Sequence, residues 1–94
     1  MGYKAAKSRV IKDLLEGNFQ HEARATIDVK NKLLTGEITA IAVAELVKRS
    51  NGTEHSSSPH HFDPTVDVHV IATAGWYIKF YFLDPQTMFI SVHQ

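Results

Sequence analysis

The chain has 94 residues, ten Lys and Arg against ten Asp and Glu, no Cys, and 44% hydrophobic residues. That length supports one compact domain, in which roughly 60–65% of the unfolded surface becomes buried. The lack of Cys excludes disulfides, thiolate metal sites, iron–sulfur clusters and cysteine nucleophiles. The longest apolar run lies around Phe80–Leu83, far short of the ~20 residues that cross a bilayer. Met1-Gly2-Tyr3-Lys4 leads into no apolar signal segment, and position six is Ala6 where a myristoylation signal carries Ser or Thr. A cytoplasmic location without a membrane partner is therefore expected.

Ala6, Val10 and Leu14, with Ile11 and Leu15, recur at helical spacing, which predicts an amphipathic helix over residues 4–16 ended by Gly17. A second helix is expected over about 22–34, with Ile27, Leu33 and Leu34 inward, before the break at Thr35-Gly36. From Thr39 a third helical stretch puts Ile41, Ala44, Leu46 and Val47 on an apolar stripe. It ends on Lys48 and Arg49, as a helix C-terminus prefers, and closes at Asn51-Gly52. Residues 51–65 read as a loop, because Pro59 and Pro64 disfavour helix before them; long ordered loops tend to be functional, and this one holds His55, His60 and His61. Beyond it, Val66–Thr73, Trp76–Leu83 and Thr87–His93 are β-branched and aromatic runs that predict an antiparallel meander. The expected fold is one α+β domain: N-terminal helices over about 4–50 packed on one face of a three- to four-stranded antiparallel sheet.

The neutral total hides an asymmetry. Residues 1–50 hold nine Lys and Arg against six Asp and Glu, whereas residues 51–94 hold one against four, together with five of the six His. Segregated charge points towards an anionic or polyvalent partner, although an ordinary solvated surface explains it equally well.

Side chains alternate across a strand, which divides the meander into two faces. Val66, Val68, Val70, Trp76, Ile78, Phe80, Phe82, Met88, Ile90 and Val92 form an apolar set expected to meet the helices. The other set holds Asp67, His69, Ile71, Tyr77, Lys79, Tyr81, Leu83, Phe89, Ser91 and His93. With three-residue loops at Thr73-Ala74-Gly75 and Asp84-Pro85-Gln86, His69 and Ser91 both oppose Lys79, Asp67 opposes Tyr81, and His93 opposes Tyr77. A wet strand face normally draws on Thr, Lys, Glu and Ser; recurrent Tyr and His supply proton transfer and base stacking, and Lys supplies charge for a phosphate. These are the parts of a metal-independent ribonuclease. His55, His60, His61, Asp63 and His69 include metal-ligand types, but their spacing matches no zinc signature and adjacent His on an extended segment point apart, so no metal or other cofactor is expected.

Asp67-Val68-His69, Tyr77-Ile78-Lys79-Phe80 and Ile90-Ser91-Val92-His93 resemble, in order and spacing, the Asp-Val-Tyr, Tyr-Leu/Ile-Lys and Val-Ser-Phe-Lys segments of the MqsR-type toxins. These are messenger-RNA-cleaving members of bacterial toxin–antitoxin pairs with a RelE-like fold. Leu14-Leu15-Glu16-Gly17 resembles the family's helix-ending turn. The resemblance implies that Tyr77 is the active-site Tyr and that His93 stands where the family has a catalytic Lys. It also matches His55, in Glu54-His55-Ser56, with a second Lys, and puts Val66 in place of a Gln. It further implies an RNA substrate and a cognate antitoxin protein as partner. The expected catalytic residues are His69, Tyr77, Lys79, His93 and His55, with Lys48, Arg49, His60, His61 and Ser91 binding RNA. The alternative is a non-catalytic protein-binding module of the same fold, with a metal-dependent hydrolase third.

Overall fold

The structure, a computed structural model, describes residues 1–22 and 30–94. Ala6, Val10 and Leu14 lie on one side of the first helix, α1, Tyr3–Glu16, and all three are buried. Gly17 ends it in the left-handed conformation (φ 71°) that a residue without Cβ adopts at little cost, while Asn18 N–H returns to the Asp13 carbonyl at 2.8 Å. The second helix, α2, Ala40–Arg49, starts at Thr39, whose hydroxyl accepts the Ala42 N–H at 3.1 Å, and buries Val43, Ala44 and Val47. Ile41, expected on the inward stripe, is 67% exposed because the row Val43–Val47 faces the core instead. The helices are pinned by Tyr3, whose hydroxyl lies 2.8 Å from Ser50 Oγ, and by Lys7, which donates to the Ser50 carbonyl.

Among the described residues five strands form one mixed sheet: β1, Phe19–His21; β2, His55–Pro59; β3, Asp67–Thr73; β4, Trp76–Leu83; and β5, Gln86–His93, in the spatial order β1-β5-β4-β3-β2. The meander is confirmed as β3, β4 and β5, but the sheet has two strands beyond it. β1 adds in parallel to β5, and β2 adds antiparallel to β3. The loop expected over 51–65 is thus half structured: Asn51 caps a 3₁₀ turn over Gly52–Glu54, β2 follows, and only 60–66 connects. Of the helix expected over 22–34, residues 23–29 lie outside the described residues. The remainder is not helical: β1 precedes it, residues 30–34 form turns, and Asn31 bridges to Val92.

Both hairpin loops are one residue shorter than expected. Ala74 and Gly75 both take positive φ (51° and 80°), the geometry of a two-residue turn whose twist suits antiparallel strands, so Thr73 opposes Trp76. Hence His69 pairs with Phe80, Val70 with Lys79 and Val68 with Tyr81. The whole of β3 turns over relative to the expected faces, as a one-residue slip requires. At the second hairpin Leu83 opposes Gln86, but β5 carries a bulge: Phe80 pairs with Phe89 while Lys79 pairs with Ser91, leaving Ile90 over. The extra residue restores the expected pairs Lys79–Ser91 and Tyr77–His93.

The main core lies between the helices and one sheet face, joining Val10, Leu14, Val43 and Val47 to Ile71, Ile78, Phe80, Phe89 and Val92. A smaller cluster of Val68, Tyr81 and Ile90, with Val66 and Met88, lies on the other face. No helix among the described residues is long and apolar enough to cross a membrane.

Candidate functional site

The face turned away from the helices has two halves. In one half the connection 60–66 folds back over the sheet: His60 Nε2 donates to Glu22 Oε1 at 3.0 Å, the Tyr81 hydroxyl donates to the same oxygen at 3.2 Å, and the His60 and Tyr81 rings meet edge to face at 4.7 Å. The tautomer of His60 follows from its other nitrogen, since Nδ1 accepts the Phe62 N–H at 3.1 Å, which leaves the proton on Nε2. With both ring nitrogens engaged, His60 is a brace for the loop. Glu22 was not anticipated as its partner, because a contact across 38 residues leaves no periodic trace in sequence.

In the other half Tyr77, Lys79 and His93 are half-buried and Ser91 is buried, and the 60–66 connection does not cover them. Tyr77 and His93 stack at 5.1 Å between ring centroids with 25° between planes, both half-buried, and one rung further along β4 and β5 stand Lys79 and Ser91. Lys79 makes no ion pair among the described residues, so its ammonium group is available to an anion. His93 Nδ1 lies 3.1 Å from the Gln94 carbonyl, a contact that fixes the orientation of the ring. Strand alternation places these four side chains together: β4 alternates Tyr77 and Lys79 against Ile78 and Phe80, and the bulge at Ile90 brings Ser91 and His93 onto the same side.

His69 does not join them. It is 1% exposed on the helix side of the sheet, against Phe80 and Phe82 at 5.6 Å each. There its Nδ1 lies 3.0 Å from Nε2 of His55, whose ring also meets Tyr3 at 5.4 Å. The expected adjacency of His69 and Lys79 is overturned by the shorter first hairpin loop, and so is that of Asp67 and Tyr81. Asp67 instead pairs with Pro59 in the ladder and lies 3.5 Å from the N-terminal amine. Burial pushes the pKa of His69 down, reinforced by the neighbouring His55, and burial also lowers that of His55. Two imidazoliums would bring two N–H groups head to head, so the pair accommodates one donor and one acceptor. His69 therefore belongs to the packed interior, with the half-buried His55 as its partner at the sheet edge.

Lys48 and Arg49 are exposed in the last turn of α2, on the helix layer and thus across the sheet from Lys79; Arg49 lies 3.9 Å from Glu45. His61 is exposed beside Phe62, with rings 4.9 Å apart. Of the expected site residues, Tyr77, Lys79, Ser91 and His93 converge, His60 and His61 border the same face, and His55, His69, Lys48 and Arg49 lie elsewhere. Among the described residues no group of three or more His, Asp or Glu is gathered as a metal-holding set. Comparison of the chain with protein-family models, with curated proteins and with solved structures finds no match.

Proposed function

We propose that the Tyr77–His93 half of the sheet binds and cleaves single-stranded RNA without a metal, and that the chain is an endoribonuclease of the toxin type with a RelE-like fold. The observation that carries this reading is the Tyr77–His93 ring stack beside Lys79, all three half-buried on the side of the sheet away from the helices. An aromatic pair offers a platform to an unstacked base, and the cation one rung away meets its phosphate. His93 takes the proton of the attacking 2′-hydroxyl, and Lys79 neutralises the charge that develops on the phosphorus-bound oxygens. The Lys79 ammonium then protonates the departing 5′-oxygen, leaving a cyclic phosphate on one fragment. Tyr77 orients both the base and the imidazole. Such an enzyme works in the cytoplasm and needs a cognate antitoxin protein to cover this face.

Purified protein incubated with a long RNA in EDTA, from pH 5 to 9, tests the reading. Cleavage that persists in EDTA and is lowered at least ~10²-fold by His93→Ala in a folded variant is expected of this acid–base catalysis. Absence of cleavage by the folded wild type overturns it. A second reading, a protein-binding module, draws on β2. Its Ser56, Ser57 and Ser58 are exposed at the end of the strand order, an edge to which an extended segment of a partner adds by main-chain hydrogen bonds.

A further inference from the structure

Phe62 is 86% exposed, more than any other large apolar side chain among the described residues. An exposed ring on a slack loop carries little meaning, but this loop is tightly tied. His60 N–H donates to the Val66 carbonyl at 2.8 Å and Val66 N–H to the Asp63 carbonyl at 3.0 Å. Asp63 Oδ1 accepts both the backbone N–H and the hydroxyl of Thr65, which holds its carboxyl below the usual carboxylate range. The Phe62 N–H itself is held by His60 Nδ1, and His60 is anchored through Glu22. The backbone beneath the ring is therefore fixed before any ligand arrives, which lowers the entropy cost of using it as an anchor. His61 meets Phe62 edge to face, so the exposed unit is again a His–aromatic pair.

Its position relates it to the first such pair. His60 rests on Tyr81, and Tyr81 and Tyr77 lie on the same side of β4 with Lys79 midway between them. Four residue steps along β4, roughly 14 Å, separate the two tyrosines. The second His–aromatic pair thus belongs to the loop anchored at the Tyr81 end, Tyr77 and His93 stand at the other end, and Lys79, which makes no ion pair among the described residues, lies between. The ends are farther apart than the bases of adjacent nucleotides, so they suit two non-adjacent bases of one unpaired strand with a phosphate between them at Lys79. Two carboxylates at this end are engaged, Asp63 by Thr65 and Glu22 by His60 and Tyr81.

We propose that Phe62 and His61 form a second stacking subsite for single-stranded RNA, so that the strand runs along β4 from Tyr77 past Lys79 to the 60–66 loop. This rests on the RNA reading of the Tyr77–His93 half and sets its polymer length: a dinucleotide occupies one end, and a longer strand engages both.

The test uses 2′-O-methyl oligouridylates, which bind but lack the attacking hydroxyl, in the lengths of two and eight nucleotides. Binding is followed by amide resonances of Tyr77, Lys79, Ser91 and His93 in the wild type, Phe62→Ala, Phe62→Trp and Tyr77→Ala. Because Phe62 is so exposed, its substitution leaves the fold intact, which the unperturbed remainder of the spectrum verifies. The expected result is an octamer affinity reduced about tenfold by Phe62→Ala and retained by Phe62→Trp, with the dinucleotide unaffected by either. Octamer binding that Tyr77→Ala weakens but Phe62→Ala does not overturns the second subsite, leaves the RNA reading standing and assigns the loop to a protein contact. A wild type that binds neither length overturns both.

Discussion

Nε2 of His55 and Nδ1 of His69 lie 3.0 Å apart beneath Tyr3, on the side of the sheet opposite Lys79. One sequence therefore carries two uses of histidine: a buried ring tied to a half-buried partner at the sheet edge and, through the sheet from it, a ring stacked on a tyrosine.

Acid should destabilise this protein through its buried and half-buried imidazoles. His21, His55 and His69 all have pKa values lowered by burial, and His21 accepts at Nδ1 from Asn31 Nδ2 at 2.9 Å, an amide oriented by the Leu34 N–H on its oxygen. Folded and unfolded chains are alike uncharged at these sites above about pH 6.5; below it the unfolded chain binds the proton first. Stability contributed by neutral His is thus complete above that pH and is lost as pH falls towards the folded values, at about 1.4 kcal/mol per pH unit for each proton of difference. Urea midpoints at pH 7.5 and 5.5 should differ, and His69→Gln should flatten the difference.

Variants should separate interior from face. His69→Ala leaves a cavity beside Phe80 and strands the His55 nitrogen, costing about 2–4 kcal/mol by urea unfolding. Tyr77→Ala or Lys79→Ala should cost less than about 1 kcal/mol by urea unfolding, since both are only half-buried, and under the proposed ribonuclease reading should lower RNA cleavage at least ~10²-fold.

Asp13 is buried at the end of α1, where Oδ2 accepts from Thr87 Oγ1 at 2.6 Å and Oδ1 from Asn18 Nδ2 at 3.3 Å, with Arg9 Nε 3.7 Å away. This ties α1 to β5. Thr87→Val removes a donor from a buried carboxylate while keeping the shape, and should cost about 1–3 kcal/mol by chemical unfolding. A loss under 0.5 kcal/mol would mean that Asp13 recruits a replacement donor.

Ala74 holds a left-handed backbone (φ 51°) that L residues other than Asn and Asp adopt reluctantly. Ala74→Gly or Ala74→Asn should raise stability by about 1 kcal/mol, measured as a higher urea midpoint with an unchanged slope.

What sequence makes legible here is what repeats locally. Ala6, Val10 and Leu14 declare α1, Thr39 and the apolar row after it declare α2, and the alternating runs declare β3 to β5. What fails is whatever depends on a single-residue count or on distant pairing. His69 reads as a face residue until Ala74 takes positive φ and shortens the turn by one. β1 and β2 are too short to show alternation, and β2 is built of serines and a proline, residues that speak for a loop. The pairs Lys79–Ser91 and Tyr77–His93 emerge correctly for a reason the sequence hides: the residue assigned to the second loop sits in the bulge instead.

That bulge makes one residue of β5 dispensable to the pairing. With Ile90 deleted, Phe89 stays opposite Phe80 and Ser91 falls next in line opposite Lys79, so plain alternation runs on to Val92 opposite Ile78 and His93 opposite Tyr77. What such a deletion takes away is the Ile90 side chain, and with it part of the small cluster around Val68 and Tyr81. The end of the strand is thus insulated from a change of length at this one position, and the neighbouring apolar cluster bears its cost.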